Sequence, residues 1–334
     1  MDPSPTPRAD SKGAAAMRWI EISPGFACNC RCSGCFSCSA DPNLQMGWDE
    51  VLRWLRYGRS KGARDLWLSG GEPTIRRDFL RTLKAAKKLG YRRIKVQTNG
   101  MMFAYETFAD RAVAAGMNEV NLLLKSLDAK THDALNRTPG SHKLLHDGLQ
   151  RLREARLPDG SKVRLEGDIL MTSRNYQELP ELVQWYCEQG VVHFNIWLFS
   201  LVDQGVRDLR RLVPKLRDCM PLMTRAHDIA TAHGATLCSL NTPYCVVPPS
   251  HWQMQFDATG MELLVVNPGN QAFMLQTSSI EQGVFGPACD RCAVRNACHG
   301  IRSDYLDVHG DTEIRALTAE DVGDREPKGQ VLDL

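Results

Sequence analysis

One stretch constrains this chain more than any other. Ala27 to Ser39, A-C-N-C-R-C-S-G-C-F-S-C-S, holds five of the twelve cysteines. Among them only Cys28, Cys32 and Cys35 stand at the spacing C-x3-C-x2-C. That spacing suits a short loop wrapped around one face of a cube-shaped iron–sulfur cluster, with three thiolates on three irons. Such clusters ordinarily take four cysteines, so three leave one iron open to another ligand. Zinc is the competing reading, because Cys32-x2-Cys35 and Cys289-x2-Cys292 are both zinc-like pairs. The two pairs are far apart in the chain, however, and each has its own third cysteine nearby.

Composition narrows the partners. The 334 residues are 43% hydrophobic and 24% charged, which permits one large core plus a small module. A net charge of +2 gives no reason to expect nucleic acid or an anionic membrane. No apolar run approaches the roughly 18 residues of a membrane span. The start, MDPSPTPRADSKGAAAM, has no apolar stretch of a secretory signal and reads as disordered over residues 1–16. Twelve cysteines without a signal then argue for metal in a reducing cytoplasm rather than for disulfides.

Along the chain, strand and helix patterns alternate. Strands are expected at 17–24, 63–69, 93–97, 118–125, 162–171 and 192–198. Helices are expected at 47–61, 78–89, 104–115, 142–155 and 177–189, and a long amphipathic stretch at 206–233. This alternation means parallel βαβ units, and six of them fall two short of a closed eightfold barrel. The fold class is therefore α/β, a partial (β/α)6 barrel over 17–235. A small C-terminal module follows at 236–317, then a polar peripheral tail at 318–334.

Three strand ends carry distinctive loops. Gly70-Gly71-Glu72-Pro73 follows the second strand; its glycines let backbone approach a ligand and Glu72 adds an acceptor for an ammonium group. A plain turn is the alternative. Thr98-Asn99-Gly100 ends the third strand and reads equally as a turn. Ser126-Leu127-Asp128 ends the fourth and reads equally as a helix cap. Arg164 and Glu166 face either the barrel interior or solvent. His132, His142 and His146 have no spaced partner and are read as surface residues. Near the C-terminus, Cys289-D-R-Cys292-A-V-R-N-A-Cys298 gives C-x2-C-x5-C.

Taken together, these residues resemble the radical S-adenosylmethionine (radical SAM) superfamily over about 17–200, and its SPASM or shorter twitch modules over about 238–305. The resemblance implies two [4Fe–4S] clusters and SAM. Cys28, Cys32 and Cys35 would hold the SAM-binding cluster. Gly70, Gly71, Glu72 and Pro73 would bind the amino end of SAM, and Asn99, Ser126 and Asp128 its ribose or carboxylate. The family places an aromatic before the third cysteine; here Gly34 stands there, and either Phe36 just after substitutes for packing on adenine or the adenine is held differently. Cys289, Cys292 and Cys298 would hold an auxiliary cluster, with Cys245 the first choice as fourth ligand and Cys238 the second. If Cys238 is not a ligand, it is a buried residue or a hydrogen-atom donor. No cysteine follows Cys298, so ligands for a second auxiliary cluster are lacking.

The implied activity is hydrogen-atom abstraction by a 5′-deoxyadenosyl radical, with a flavodoxin or ferredoxin-type electron donor. The short stretch before the first strand and the short module favour a small natural product, of sugar, nucleoside or aminoglycoside type, that is epimerised, oxidised or decarboxylated. A ribosomally made peptide is the alternative substrate. A zinc-stabilised scaffold or an electron carrier is the alternative from another class.

Overall fold

The computed structural model describes residues 17–35, 37, 40–201, 207–240, 242–278 and 283–330. It is a mixed α/β fold with a partial parallel β-sheet core. The chain divides into two compact units. One comprises Met1–Leu122, Asn136–Leu165 and Met261–Ser278; the other comprises Leu123–Leu135, Glu166–Gly260 and Ser279–Leu334. No helix among the described residues is long and apolar enough to cross a membrane.

In the first unit, β1 (Trp19–Ile22), β2 (Asp65–Leu68), β3 (Arg93–Thr98) and β4 (Glu119–Leu124) pair in parallel, each with the next. Their residues are buried on both faces, as expected of strands covered by helices on one side and core on the other. The helix Trp48–Ser60 between β1 and β2 buries Val51, Trp54, Leu55 and Gly58, one stripe at helical spacing. Asp49 and Glu50 lie in its first turn and Arg59 in its last, each favourable to the helix dipole. Helices Phe79–Lys88, Phe108–Ala115 and Ser141–Glu154 occupy the expected places. On the inner face of β3, the buried Lys95 ammonium lies 5.3 Å from the Trp19 ring and 5.0 Å from the Trp67 ring. Such cation–π contacts help offset its desolvation.

One feature of this unit departs from the pattern. Residues assigned by pattern to the C-terminal module form β8 (Leu263–Asn267) and β9 (Gln271–Met274). β8 pairs in parallel with β1, placing Leu264 opposite Ile20, and β9 folds back antiparallel on β8. Apolar runs this short carry no record of their partner, so only the folded sheet reveals it. A helix, Ala129–Asn136, follows Asp128, in keeping with the helix-cap alternative.

In the second unit, β5 (Arg164–Met171), β6 (Val191–Leu198) and β7 (Thr236–Leu240) lie side by side, with β6 and β7 parallel and Asn195 opposite Cys238. The long helix expected at 206–233 is instead a 3-10 turn, Arg207–Leu212, and a helix, Leu216–Ala232. Pro214 lies in the break; it lacks an N–H and disfavours helical geometry at Val213. The tail is not simply peripheral. Gln330 exchanges backbone hydrogen bonds with Gln255 and Asp257, at 2.7 and 3.0 Å. Gly329 is needed beside it, since a Cβ there would sit 2.8 Å from the Gln255 carbonyl oxygen.

Candidate functional site

The loop after β1 folds its cysteines inward. Cys30 and Cys32 are buried with Met101, and Cys28, Cys35 and Leu144 pack against them. The loop is held by backbone and side chains of its own unit. Asn136 accepts from Arg31 N–H at its carbonyl (3.2 Å) and from the Cys32 thiol at Oδ1 (3.2 Å). Asn99 Nδ2 donates to Asn29 Oδ1 at 2.7 Å, and Asn99 Oδ1 accepts from Met101 N–H at 3.1 Å. The Cys30 N–H donates to Cys28 Sγ at 3.3 Å. Chiefly through its hydrogen bond with Cys28, the Cys30 thiol is pushed up to about 11. Asn136 belongs to no motif or spacing that could single it out before folding. Phe36 and Cys38 lie outside the described residues.

Gly70–Pro73 meets this loop through backbone. The Gly71 N–H donates to the Gly25 carbonyl and the Glu72 N–H to the Ala27 carbonyl, both at 2.9 Å. A Cβ on Gly71 would lie 2.2 Å from the Ala27 oxygen, and Gly70 has φ +104°. The glycines are therefore required by the chain's approach to itself just before the first cysteine. Glu72 is 2% exposed and has four donors of its own chain. Oε1 accepts from the Thr74 N–H (3.0 Å), the Thr74 hydroxyl and the Thr98 hydroxyl (2.8 Å); Oε2 accepts from the Asn99 N–H (2.8 Å). A carboxylate offers about four lone-pair positions; three of these donors share Oε1, and Oε2, with one donor, keeps a position for a further donor such as an ammonium group. Burial raises its pKa while these hydrogen bonds oppose the rise. Pro73 opens the 3-10 turn Pro73–Ile75 that Glu72 caps.

In the second unit, Ser126 Oγ accepts from the Asp128 N–H at 3.0 Å, and the Leu127 N–H donates to Glu178 Oε2 at 3.3 Å. Asp128 Oδ2 accepts from the Thr131 N–H at 2.7 Å, the geometry of a helix N-cap. Arg164 is exposed and Glu166 fully buried. The histidines read as surface residues are not so: His132 is buried, and the rings of His142 and His146 lie 4.1 Å apart, both half-buried.

The C-terminal cysteines converge in the second unit. Cys245, Cys289, Cys292 and Cys298, with Phe285 and Arg315, line one pocket open to solvent. Backbone donors point at the sulfurs. The Gly300 N–H donates to Cys298 Sγ and the Leu317 N–H to Cys292 Sγ, both at 3.4 Å. Arg315 and Tyr244 backbone N–H groups do the same for Cys245 and Cys298. Burial nevertheless pushes the Cys245 thiol up to about 11 and raises that of Cys298. Cys238 is not brought to this pocket. It is wholly buried on β7, its thiol donates to Gln330 Oε1 at 3.4 Å, and burial pushes it up to about 12.

Known proteins extend these observations. The family described as the Radical SAM superfamily matches residues 22–186, a span that takes in the cysteine loop and all three strand-end motifs. The chain belongs to the radical SAM superfamily. It is similar to the GTP 3′,8-cyclase of Marinobacter nauticus, 29% identical over 190 residues, covering 56% of each chain. It is also similar to the AdoMet-dependent heme synthase of Methanosarcina barkeri, 28% identical over 189 residues, 56% of this chain and 51% of that one. The match thus spans about half the length of these curated relatives.

Solved radical SAM structures resemble more of the chain. Streptococcus suis SuiB bound to precursor peptide SuiA superposes with a TM-score of 0.64 over 91% of this chain and 76% of that one, at 15% identity. Native anSMEcpe with bound AdoMet and Cp18Cys peptide gives 0.61 over 90% and 93%, at 13% identity. At such identities the likeness is one of fold.

Proposed function

We propose that this radical SAM enzyme modifies a peptide, using one SAM-binding [4Fe–4S] cluster and one auxiliary [4Fe–4S] cluster. The reading assigns residues 17–235 to the barrel and 236–317 to the auxiliary module, except that β7 and the β8–β9 hairpin join the sheet strands. Cys28, Cys32 and Cys35 would hold the first cluster, and Cys245, Cys289, Cys292 and Cys298 the second. The single observation that carries the auxiliary site is the pocket where four thiols meet backbone N–H donors aimed at sulfur. Buried thiols with raised pKa values need a cation to become thiolates, and donors to sulfur suit thiolates once formed.

When bound, the reduced cluster and SAM supply the 5′-deoxyadenosyl radical that takes a hydrogen atom from substrate; a fully ligated second cluster supplies one-electron redox capacity. The chain's own part is to place ligands. Asn136 and Asn99 fix the cysteine loop, and Glu72 ties the ends of β2 and β3 together beneath it. In this reading Glu72 positions the Gly70–Pro73 segment for SAM. A flavodoxin or ferredoxin-type donor and a reducing compartment belong to the same proposal.

Support for a peptide is the likeness of fold, over about nine-tenths of this chain, to SuiB and anSMEcpe, both solved with peptides. It is stronger than the support for the small natural product expected from sequence. A nucleotide is the second reading, favoured by several GTP 3′,8-cyclases among the relatives, at 26–30% identity over about half the chain. The test is anaerobic reconstitution followed by SAM cleavage with peptide or nucleotide present. About eight irons per chain, four per cluster, and 5′-deoxyadenosine stimulated by a peptide support the proposal. Zinc at stoichiometry without iron, or stimulation by nucleotide alone, overturns it.

A further inference from the structure

Within the second unit, the helix Leu216–Ala232 brings His227 and Asp228 against His251 of the 3-10 segment Pro249–Met254. One ligand atom from each lies within 4.8 Å of the others. Asp228 Oδ1 is the hub, 3.1 Å from His251 Nε2 and 3.6 Å from His227 Nδ1. The second distance is too long for a hydrogen bond. His227 is 7% exposed, and its Nδ1 is buried without a hydrogen-bond partner. A simple His251–Asp228 pair would leave that nitrogen unexplained, at the cost of an unsatisfied buried polar atom.

We propose that His227, Asp228 and His251 bind one divalent cation of the zinc class, at a site separate from the cysteines. Tetrahedral ligands at zinc's usual bond lengths stand about 3.3–3.5 Å apart, and the two distances to Asp228 bracket that spacing. Two imidazoles and one carboxylate suit zinc, cobalt, nickel or ferrous iron. His251 Nδ1 lies 2.9 Å from Ser250 Oγ. With Nδ1–H donating to that hydroxyl, the Nε2 lone pair is left for metal, the usual outer support of a ligating histidine. The Asp228 side chain is 67% exposed, so a fourth position faces water. The cation would clamp the helix to the segment that follows Cys245.

The test uses cluster-loaded protein under anaerobic conditions, titrated with zinc chloride and then desalted. One zinc per chain with iron unchanged is expected, and its X-ray absorption should show nitrogen and oxygen ligands without sulfur. His251→Ala and Asp228→Ala change half-buried and exposed side chains, and each should weaken zinc binding at least tenfold without loss of iron. No zinc uptake by the wild type, wild-type affinity in both variants, sulfur ligation, or iron released in step with zinc would each overturn the proposal.

Discussion

Glu72→Ala separates two accounts of the Gly70–Pro73 motif. If the carboxylate were mainly an acceptor for the SAM ammonium, its loss would remove a charge-assisted bond worth ~1.5–3 kcal/mol, more than about tenfold in affinity, with the fold untouched. The geometry implies a different result. Alanine strands four buried donors: the N–H groups of Thr74 and Asn99 and the hydroxyls of Thr74 and Thr98. The hydroxyls can turn elsewhere, but the two N–H groups cannot. At ~1–3 kcal/mol for each, the cost is ~2–6 kcal/mol. That is a large share of a total stability of ~5–15 kcal/mol. With ~2–4 °C per kcal/mol for domains of this size, the melting temperature should fall by at least about 4 °C. Glu72→Gln keeps the volume but turns an amide NH2 toward a donor, and should lie between. The assay is calorimetry of cluster-loaded protein beside equilibrium dialysis with SAM. A variant that melts like the wild type yet binds SAM tenfold more weakly would refute the argument.

Replacing Cys28, Cys32 and Cys35 together with Ala should abolish SAM cleavage and lower iron by about four per chain, one cluster's worth, in colorimetric iron assays. Gly300→Ala should remove the auxiliary cluster's iron, because Gly300 has φ +79° and a Cβ there would lie 2.7 Å from the Val284 oxygen, displacing the N–H aimed at Cys298. Cys238→Ala should keep full iron, since its thiol faces Gln330; loss of about four irons would show that it is a ligand. Burial, then the neighbouring His142, lowers His146 from 6.5 to about 4. A depressed histidine favours the folded state fully above about 6.5, and that contribution is lost as pH falls toward about 4. His146→Asn should therefore flatten the acid limb of the stability curve measured by urea melts; an unchanged limb would count against that assignment.

Local order alone determined much of this protein. The strands β1 to β6 and most of their helices follow from periodicities carried by neighbouring residues, so they were legible before folding. So was the spacing of Cys28, Cys32 and Cys35, because one loop contains it. Spacing also tied Cys289, Cys292 and Cys298 together, yet it could not choose between Cys238 and Cys245. The fold separates them: Cys238 lies buried on β7 against Gln330, while the 3-10 turn Tyr244–Val246 carries Cys245 to the other three. The hairpin β8–β9, the hold of Asn136 on Cys32, the donors of Thr98 and Asn99 to Glu72 and the meeting of His227 with His251 are of the same kind. Each joins residues with no periodic relation in sequence. Their contact depends on where the whole chain runs once its apolar faces are buried, and only the tertiary structure contains that path.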